Sequence, residues 1–185
     1  LEESLRNGQD SKLNINLSQC EVRFVGRGGA QIKDLMDREI HAQSGAVRSF
    51  RPQVVIVHAR GNDLCSKRSQ TLGYSLVEMV CALHQFSFVK RVVVMHLFRR
   101  IKPRYISKGR YERRRTQVNA FVDAYFSRKR YRLLGVRVRK HKRLENNPGN
   151  IFRRDGVHLE DGKPMRRYWR NIRLAIVHAV ADVLQ

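Results

Sequence analysis

The stretch Val54-Val55-Ile56-Val57-His58-Ala59-Arg60-Gly61-Asn62-Asp63 runs from an almost continuous apolar segment into a glycine and two small polar side chains. β-Branched residues in succession, without polar alternation, describe a strand whose two faces are both covered, as in parallel sheets packed between helices. The glycine then predicts a sharp turn off the strand end. A second run, 89–98, repeats the pattern, with Val92, Val93, Val94 and Met95 in line. Shorter apolar segments at 22–25 and 133–138 also read as strands. Between them the apolar spacing lengthens to that of a helix. Ile32, Leu35, Met36 and Ile40 share one face of 30–43. Leu72, Leu76, Met79, Val80 and Leu83 share one face of 66–85, and Val118, Phe121, Val122 and Tyr125 one face of 110–130. Residues 144–152 contain Asn146-Asn147-Pro148-Gly149 and read as a loop. A last stripe, Met165, Trp169, Ile172, Ile176, Val180 and Val183, marks a helix over 163–184. The order β-α-β-α-β-α-β-loop-α predicts an α/β fold with a parallel sheet between helices, and 1–185 as a single domain. Ligand sites in such sheets gather at the carboxyl ends of the strands. Residues 26–29 and 61–63 both fall there.

A chain of 185 residues can bury a real core. Its charge is the unusual feature: 38 Lys and Arg against 16 Asp and Glu, a net +22. The excess is concentrated, because segment 99–143 holds 18 of the basic residues and 2 of the acidic ones. Such a field attracts polyanions, chiefly nucleic acid or an anionic membrane surface; the plainer alternative is a solvated helix face with no specific partner. Arg113, Arg114, Arg115, Arg128, Lys129 and Arg130 are its densest clusters and the candidate nucleic-acid contacts. Tyr105, Tyr111, Tyr125 and Tyr131 interleave with them, as base-stacking platforms or, for Tyr111 and Tyr125 on the apolar helix face, as core. Three cysteines, Cys20, Cys65 and Cys81, without a Cys-x-x-Cys, suit a reducing intracellular compartment, cytoplasmic or nuclear. No apolar run approaches the roughly 18 residues of a membrane span. The first residue is Leu1 rather than Met, which reads as a fragment and leaves an upstream targeting segment open. The histidines show no metal-ligand spacing, so neither a metal nor another cofactor is expected; His58 and His96 read as core or strand-end residues.

Two clusters carry chemistry. Arg154-Asp155-Gly156-Val157-His158-Leu159 precedes the last helix. An imidazole can take a proton from a nucleophile and return it to a leaving group near neutral pH. A carboxylate beside it orients the ring and stabilises the imidazolium. Two intervening residues let both side chains leave one tight loop in the same direction. In the other cluster, Asn62 can aim its amide N–H at a developing oxyanion, and Gly61 permits the turn that carries it. Taken alone, each is also what a structural Asp-His pair or a turn-capping Asn looks like. The glycines of Val22-Arg23-Phe24-Val25-Gly26-Arg27-Gly28-Gly29 suggest a phosphate loop less well, since no Gly-Lys-Ser/Thr follows.

In this order, strand and glycine turn, strand and Gly-Asn-Asp, Asp-x-x-His and terminal helix, the residues resemble the SGNH (GDSL-type) esterase and lipase superfamily over about residues 20–180. The resemblance implies a flavodoxin-like α/β/α sandwich and an acyl ester hydrolase chemistry that needs no metal. By position, it assigns His158 as base, Asp155 as its partner, and Asn62 with the Gly29 amide as oxyanion donors. It is closest to divergent versions in open reading frames of animal genomes, some with a retrotransposon-like context.

One block is missing. The family's nucleophile lies on an apolar strand running into Gly-Asp-Ser, and no such stretch occurs here. Ser11, in Gly8-Gln9-Asp10-Ser11, echoes it without a strand before it; Ser4 and Ser18 have less context still. In the flavodoxin-like order the absent first strand is central, so 22–25 and 54–59 are expected to lack their shared neighbour. The resemblance therefore implies an N-terminally truncated, inactive esterase-like domain. The competing expectation is a basic nucleic-acid-binding domain that keeps the fold without the chemistry. A domain with both properties, or a decaying reading frame, are further alternatives.

Overall fold

The computed structural model describes residues 20–26, 28–58, 61–141, 144 and 151–184. Three strands form a parallel sheet in the order β1 (Val54–Val57), β2 (Arg91–Met95), β3 (Val136–Arg139). Val55 lies opposite Val92, and Val92 opposite Val136. Helices cover both faces. After α1 (Ile32–Leu35), a π-helical continuation (Met36–His41) and α2 (Ala46–Phe50) lead into β1. The turn α3 (Asp63–Ser66) and α4 (Ser69–His84) connect β1 to β2, and α5 (Lys108–Phe126) and α6 (Lys129–Leu133) connect β2 to β3. The chain finishes on α7 (Lys163–Leu184).

The alternation of a strand sends neighbouring side chains to opposite faces. Val92 and Val94 of β2 join the larger core with Leu72, Leu76 and Val80 of α4 and Val118 and Val122 of α5. Val93 and Met95 face the other way, onto Trp169, Ile172 and Ile176 of α7. All four β2 residues are buried. β3 is asymmetric. Val136 and Val138 turn to the α4–α5 side, while Arg137 pairs with Asp182 at 3.7 Å and Arg139 donates to Asn171 Oδ1 at 2.9 Å, both on α7.

Several boundaries depart from the sequence reading. The strand expected at 22–25 does not form: these residues pair with no strand among the described residues. Val22 and Phe24 instead pack on the α7 side, Phe24 meeting Trp169 edge-on at 5.5 Å, while Val25 is exposed. Among the described residues, side-chain contacts hold the segment and no backbone ladder does. The strand expected at 133–138 starts later, since Leu133 ends α6 and is exposed with Leu134. The long helix expected over 110–130 breaks at Ser127, whose backbone N–H donates to the Asp123 carbonyl and closes α5 before α6 begins. Helix α2 lies where no helix was expected. The terminal helix agrees with its expected bounds. No helix among the described residues is long and apolar enough to cross a membrane.

Gly135 joins α6 to β3 at φ +78°, and a Cβ there would sit 2.6 Å from the Lys90 carbonyl oxygen. Left-handed backbone costs a non-glycine residue about 1–2 kcal/mol, and the clash adds to it. Gly109, in the first turn of α5, has open space around it. Gly135→Ala is therefore expected to lower stability by more than about 1 kcal/mol, and Gly109→Ala to raise it by up to about 1 kcal/mol. Urea unfolding midpoints of the two variants check both signs.

Candidate active site at the carboxyl end of the sheet

Beyond β1, three consecutive residues each hold a different part of the fold. Gly61 is buried, and a Cβ on it would sit 1.9 Å from the Tyr111 hydroxyl. That hydroxyl donates to the Phe98 carbonyl at 3.0 Å. Burial pushes the Tyr111 phenol up to about 12, although Arg100, stacked 5.6 Å from its ring, pulls the other way. Asn62 donates through Nδ2 to the Ala30 carbonyl at 3.2 Å and accepts through Oδ1 from the Arg100 guanidinium at 3.0 Å. Asp63 is buried, accepts from the Ile32 backbone N–H at 3.1 Å and pairs with Lys67 Nζ at 3.0 Å. The carboxylate thus caps the first turn of α1, a favourable place for negative charge.

Asp155 and His158 form a tight turn. Asp155 Oδ1 accepts from the backbone N–H groups of Val157 (2.8 Å) and His158 (2.9 Å). Its Oδ2 stands 2.6 Å from His158 Nδ1. The His158 side chain, followed by the two amides, holds the Asp155 carboxyl well below the usual carboxylate range. An ionised carboxylate only accepts, so in the neutral imidazole Nδ1 carries the proton and Nε2 keeps its lone pair. Both side chains are solvent-accessible, 65% for His158 and 46% for Asp155, so the basic nitrogen is reachable from outside.

The turn is fixed from below. Leu144, Ile151, Phe152 and Leu159 form a small core, closed by a Phe152–Leu159 antiparallel bridge. Gly156 has φ +65°, and its carbonyl accepts from Ile101 N at 2.9 Å and Lys102 N at 3.3 Å. A Cβ on Gly156 would press into Lys102 backbone at 2.8 Å. Consecutive residues after β2 therefore hold both clusters: Arg100 binds Asn62, and Ile101 binds the Asp155–His158 turn.

Of the residues read from the sequence, Asn62 and the glycine turn meet through Ala30, next to Gly29. Gly29 itself is exposed at φ +77°. Ser4, Ser11 and Ser18 lie outside the described residues. Within the basic clusters, Arg115 is engaged internally: its Nε donates to both Glu112 carboxylate oxygens at 3.1 Å and its guanidinium reaches the Leu97 carbonyl at 3.1 Å. Arg128 and Arg130 stack on Tyr125 and Tyr131, at 4.4 and 4.6 Å from the ring centres. Lys129 and Arg113 are exposed, and Arg114 donates to the Leu64 carbonyl at 2.8 Å. Tyr111 and Tyr131 are core residues, Tyr125 packs against that core, and Tyr105 is exposed.

The sequence reading missed Arg100, one cation among many with no spacing to distinguish it. It also missed a ring cluster of His58, Phe98, His141 and Tyr168, in which His58 Nδ1 lies 2.9 Å from the Tyr168 hydroxyl. His141 accepts from Asn171 Nδ2 at 2.7 Å, and burial, more than its charged neighbours, pushes its imidazole down to about 2. It is therefore a neutral core group at any ordinary pH. No group of acidic, histidine or cysteine side chains among the described residues is arranged to hold a metal ion.

A folded-state pKa below the ordinary carboxyl value means that the Asp155 interactions are complete above that value, 3.8, and disappear as pH falls through the lower folded value. The Asp155 carboxyl carbon resonance is expected to titrate with a midpoint below 3.8. His158→Ala should move that midpoint upward. A midpoint at or above 3.8 in the unsubstituted protein would contradict the turn geometry.

No protein-family model matches the chain, and neither a curated protein nor a solved structure was found that is similar to it.

Proposed function

We propose that this chain is an SGNH-type, esterase-like domain of flavodoxin-like architecture, in which the acid–base pair of an acyl ester hydrolase is His158 and Asp155. The 2.6 Å contact between Asp155 Oδ2 and His158 Nδ1 carries this reading. It fixes the tautomer that leaves Nε2 as the base, on an accessible turn beside the carboxyl ends of the strands. Supporting it, Asn62 and Gly29 flank a single turn contact, and Arg100 and Ile101 hold the two halves of the site.

In this chemistry a serine hydroxyl attacks the acyl carbonyl. Nε2 of His158 takes the hydroxyl proton and delivers it to the departing alcohol, and water later releases the acyl group by the same relay. Asn62 Nδ2 has one N–H beyond its bond to Ala30 with which to meet the oxyanion, together with the Gly29 backbone N–H. The parallel sheet of β1, β2 and β3 supplies no serine of this kind, and the sequence contains no apolar run leading into Gly-Asp-Ser. On this reading the 185-residue chain by itself is inactive, and catalysis would need a serine supplied from outside these residues.

The test begins with the reading frame upstream of Leu1. Where it encodes an apolar strand ending in Gly-Asp-Ser, the protein carrying that segment is expected to hydrolyse p-nitrophenyl acetate. His158→Ala should then reduce kcat/KM by about 10²–10⁴ with unchanged circular dichroism, and Asn62→Ala by about 10²–10³. A stop codon or unrelated sequence upstream would overturn the catalytic reading. Serine-dependent hydrolysis by the 185-residue chain alone, lost on His158→Ala, would keep His158 as the base and overturn only the inactivity of this chain.

A further inference from the structure

On the α4–α5 side of the sheet, the first turn of α4 and the first half of α5 enclose an open groove of about 470 Å³. It is lined by Arg68, Ser69 and Gln70 from the start of α4, and by Arg110, Arg113, Arg114 and Gln117 from α5. Positions 110, 113, 114 and 117 recur at helical spacing, so α5 turns one continuous stripe toward the groove. Ser69 Oγ donates to Gln117 Oε1 at 2.7 Å and ties the two helices across it. Arg114 is held in place by the Leu64 carbonyl.

The lining includes no acidic side chain. Glu112, the nearest carboxylate in sequence, is taken by Arg115, and Asp123, further along α5, by Lys140 and His96. The guanidiniums of Arg68, Arg110 and Arg113 have no acceptor among the described residues, and all three residues are exposed. Like charges at i, i+3 and i+4 on a helix destabilise it. An anion in the groove would offset that repulsion. The backbone adds to the same field: Arg68, at the N-cap of α4, provides no side-chain acceptor for the first-turn N–H groups, which leaves the positive end of a 16-residue helix facing the groove.

We propose that this groove binds the phosphodiester backbone of a nucleic acid, with Arg68, Arg110 and Arg113 contacting phosphates and Arg114 as the fixed fourth cation. Gln70 and Gln117 can bond to phosphate or sugar beside them. The lining has no exposed apolar side chain to enter a bilayer, and surface-bound membrane helices depend on such a face, so a polynucleotide fits better than a lipid surface. Contacts of this kind are independent of base sequence. This site does not depend on the esterase reading.

Fluorescence anisotropy of a labelled mixed-sequence 20-mer, single-stranded and annealed to its complement, reads the binding of the whole chain. Four phosphate contacts weaken binding by roughly 50–150-fold between 50 and 200 mM salt. The double variant Arg110→Ala/Arg113→Ala should lower the slope of log Kd against log salt by about 2. Arg166→Ala/Arg167→Ala, which removes the same charge from exposed positions on α7 across the sheet, should change it much less. The affected residues are solvent-exposed, and thermal melts check that each variant folds. Equal effects of the two double variants would reduce the interaction to net charge and overturn the site. Absence of binding at 50 mM salt would also overturn it. So would arginine-dependent capture by phosphatidylserine vesicles without oligonucleotide binding.

Discussion

Strand β2 is covered on both faces, and that double burial organises everything around it. Each buried aliphatic side chain contributes about 1.5–3 kcal/mol relative to exposure, and β2 commits Val92 and Val94 to one layer and Val93 and Met95 to the other. A parallel strand in that position requires long crossovers. Helices α4 and α5 provide the surface that the Val92 side needs, and α7 provides the one that the Val93 side needs. β1 and β3 complete the backbone ladder on either flank.

Parallel strands deliver their loops to the same end, which is why chemistry concentrates there. His58, His96 and the 99–102 segment all follow strand ends, and the Asp155–His158 turn is drawn in by hydrogen bonds to Ile101 and Lys102. The Gly-Asn-Asp stretch serves as a junction as much as a site. Gly61 admits Tyr111, Asn62 grips the Ala30 turn and Arg100, and Asp63 caps α1. Substitutions in it should therefore disturb stability and any chemistry together, whereas His158, exposed and outside the main cores, separates the two.

The positive charge divides by what it faces. Arg115 is neutralised by Glu112, Arg128 and Arg130 lie over tyrosine rings, and Arg137 and Arg139 meet α7. Arg68, Arg110 and Arg113, which have no side-chain acceptor among the described residues, come together between α4 and α5. Counting cations along the chain singles out the 99–143 segment as a whole. The groove between α4 and α5 selects Arg110 and Arg113 from that segment and brings in Arg68, which lies far upstream in the sequence.

The sequence by itself determined the layer architecture, because unbroken β-branched runs at 54–57 and 91–95 are stable only when both faces are covered. It also determined α7, whose apolar stripe has a single solution, and the Asp155–His158 pairing, which two intervening residues and a glycine allow within one turn. The tertiary structure decided what depends on distant partners. Residues 22–25 have strand composition, yet a strand exists only with a hydrogen-bonded neighbour, and none pairs with them among the described residues. Leu133 sits in an apolar segment but ends a helix, because Gly135 can take the left-handed turn that starts β3 after it. Arg100 joined Asn62, and Arg68 joined Arg110, through packing of elements that no local pattern connects.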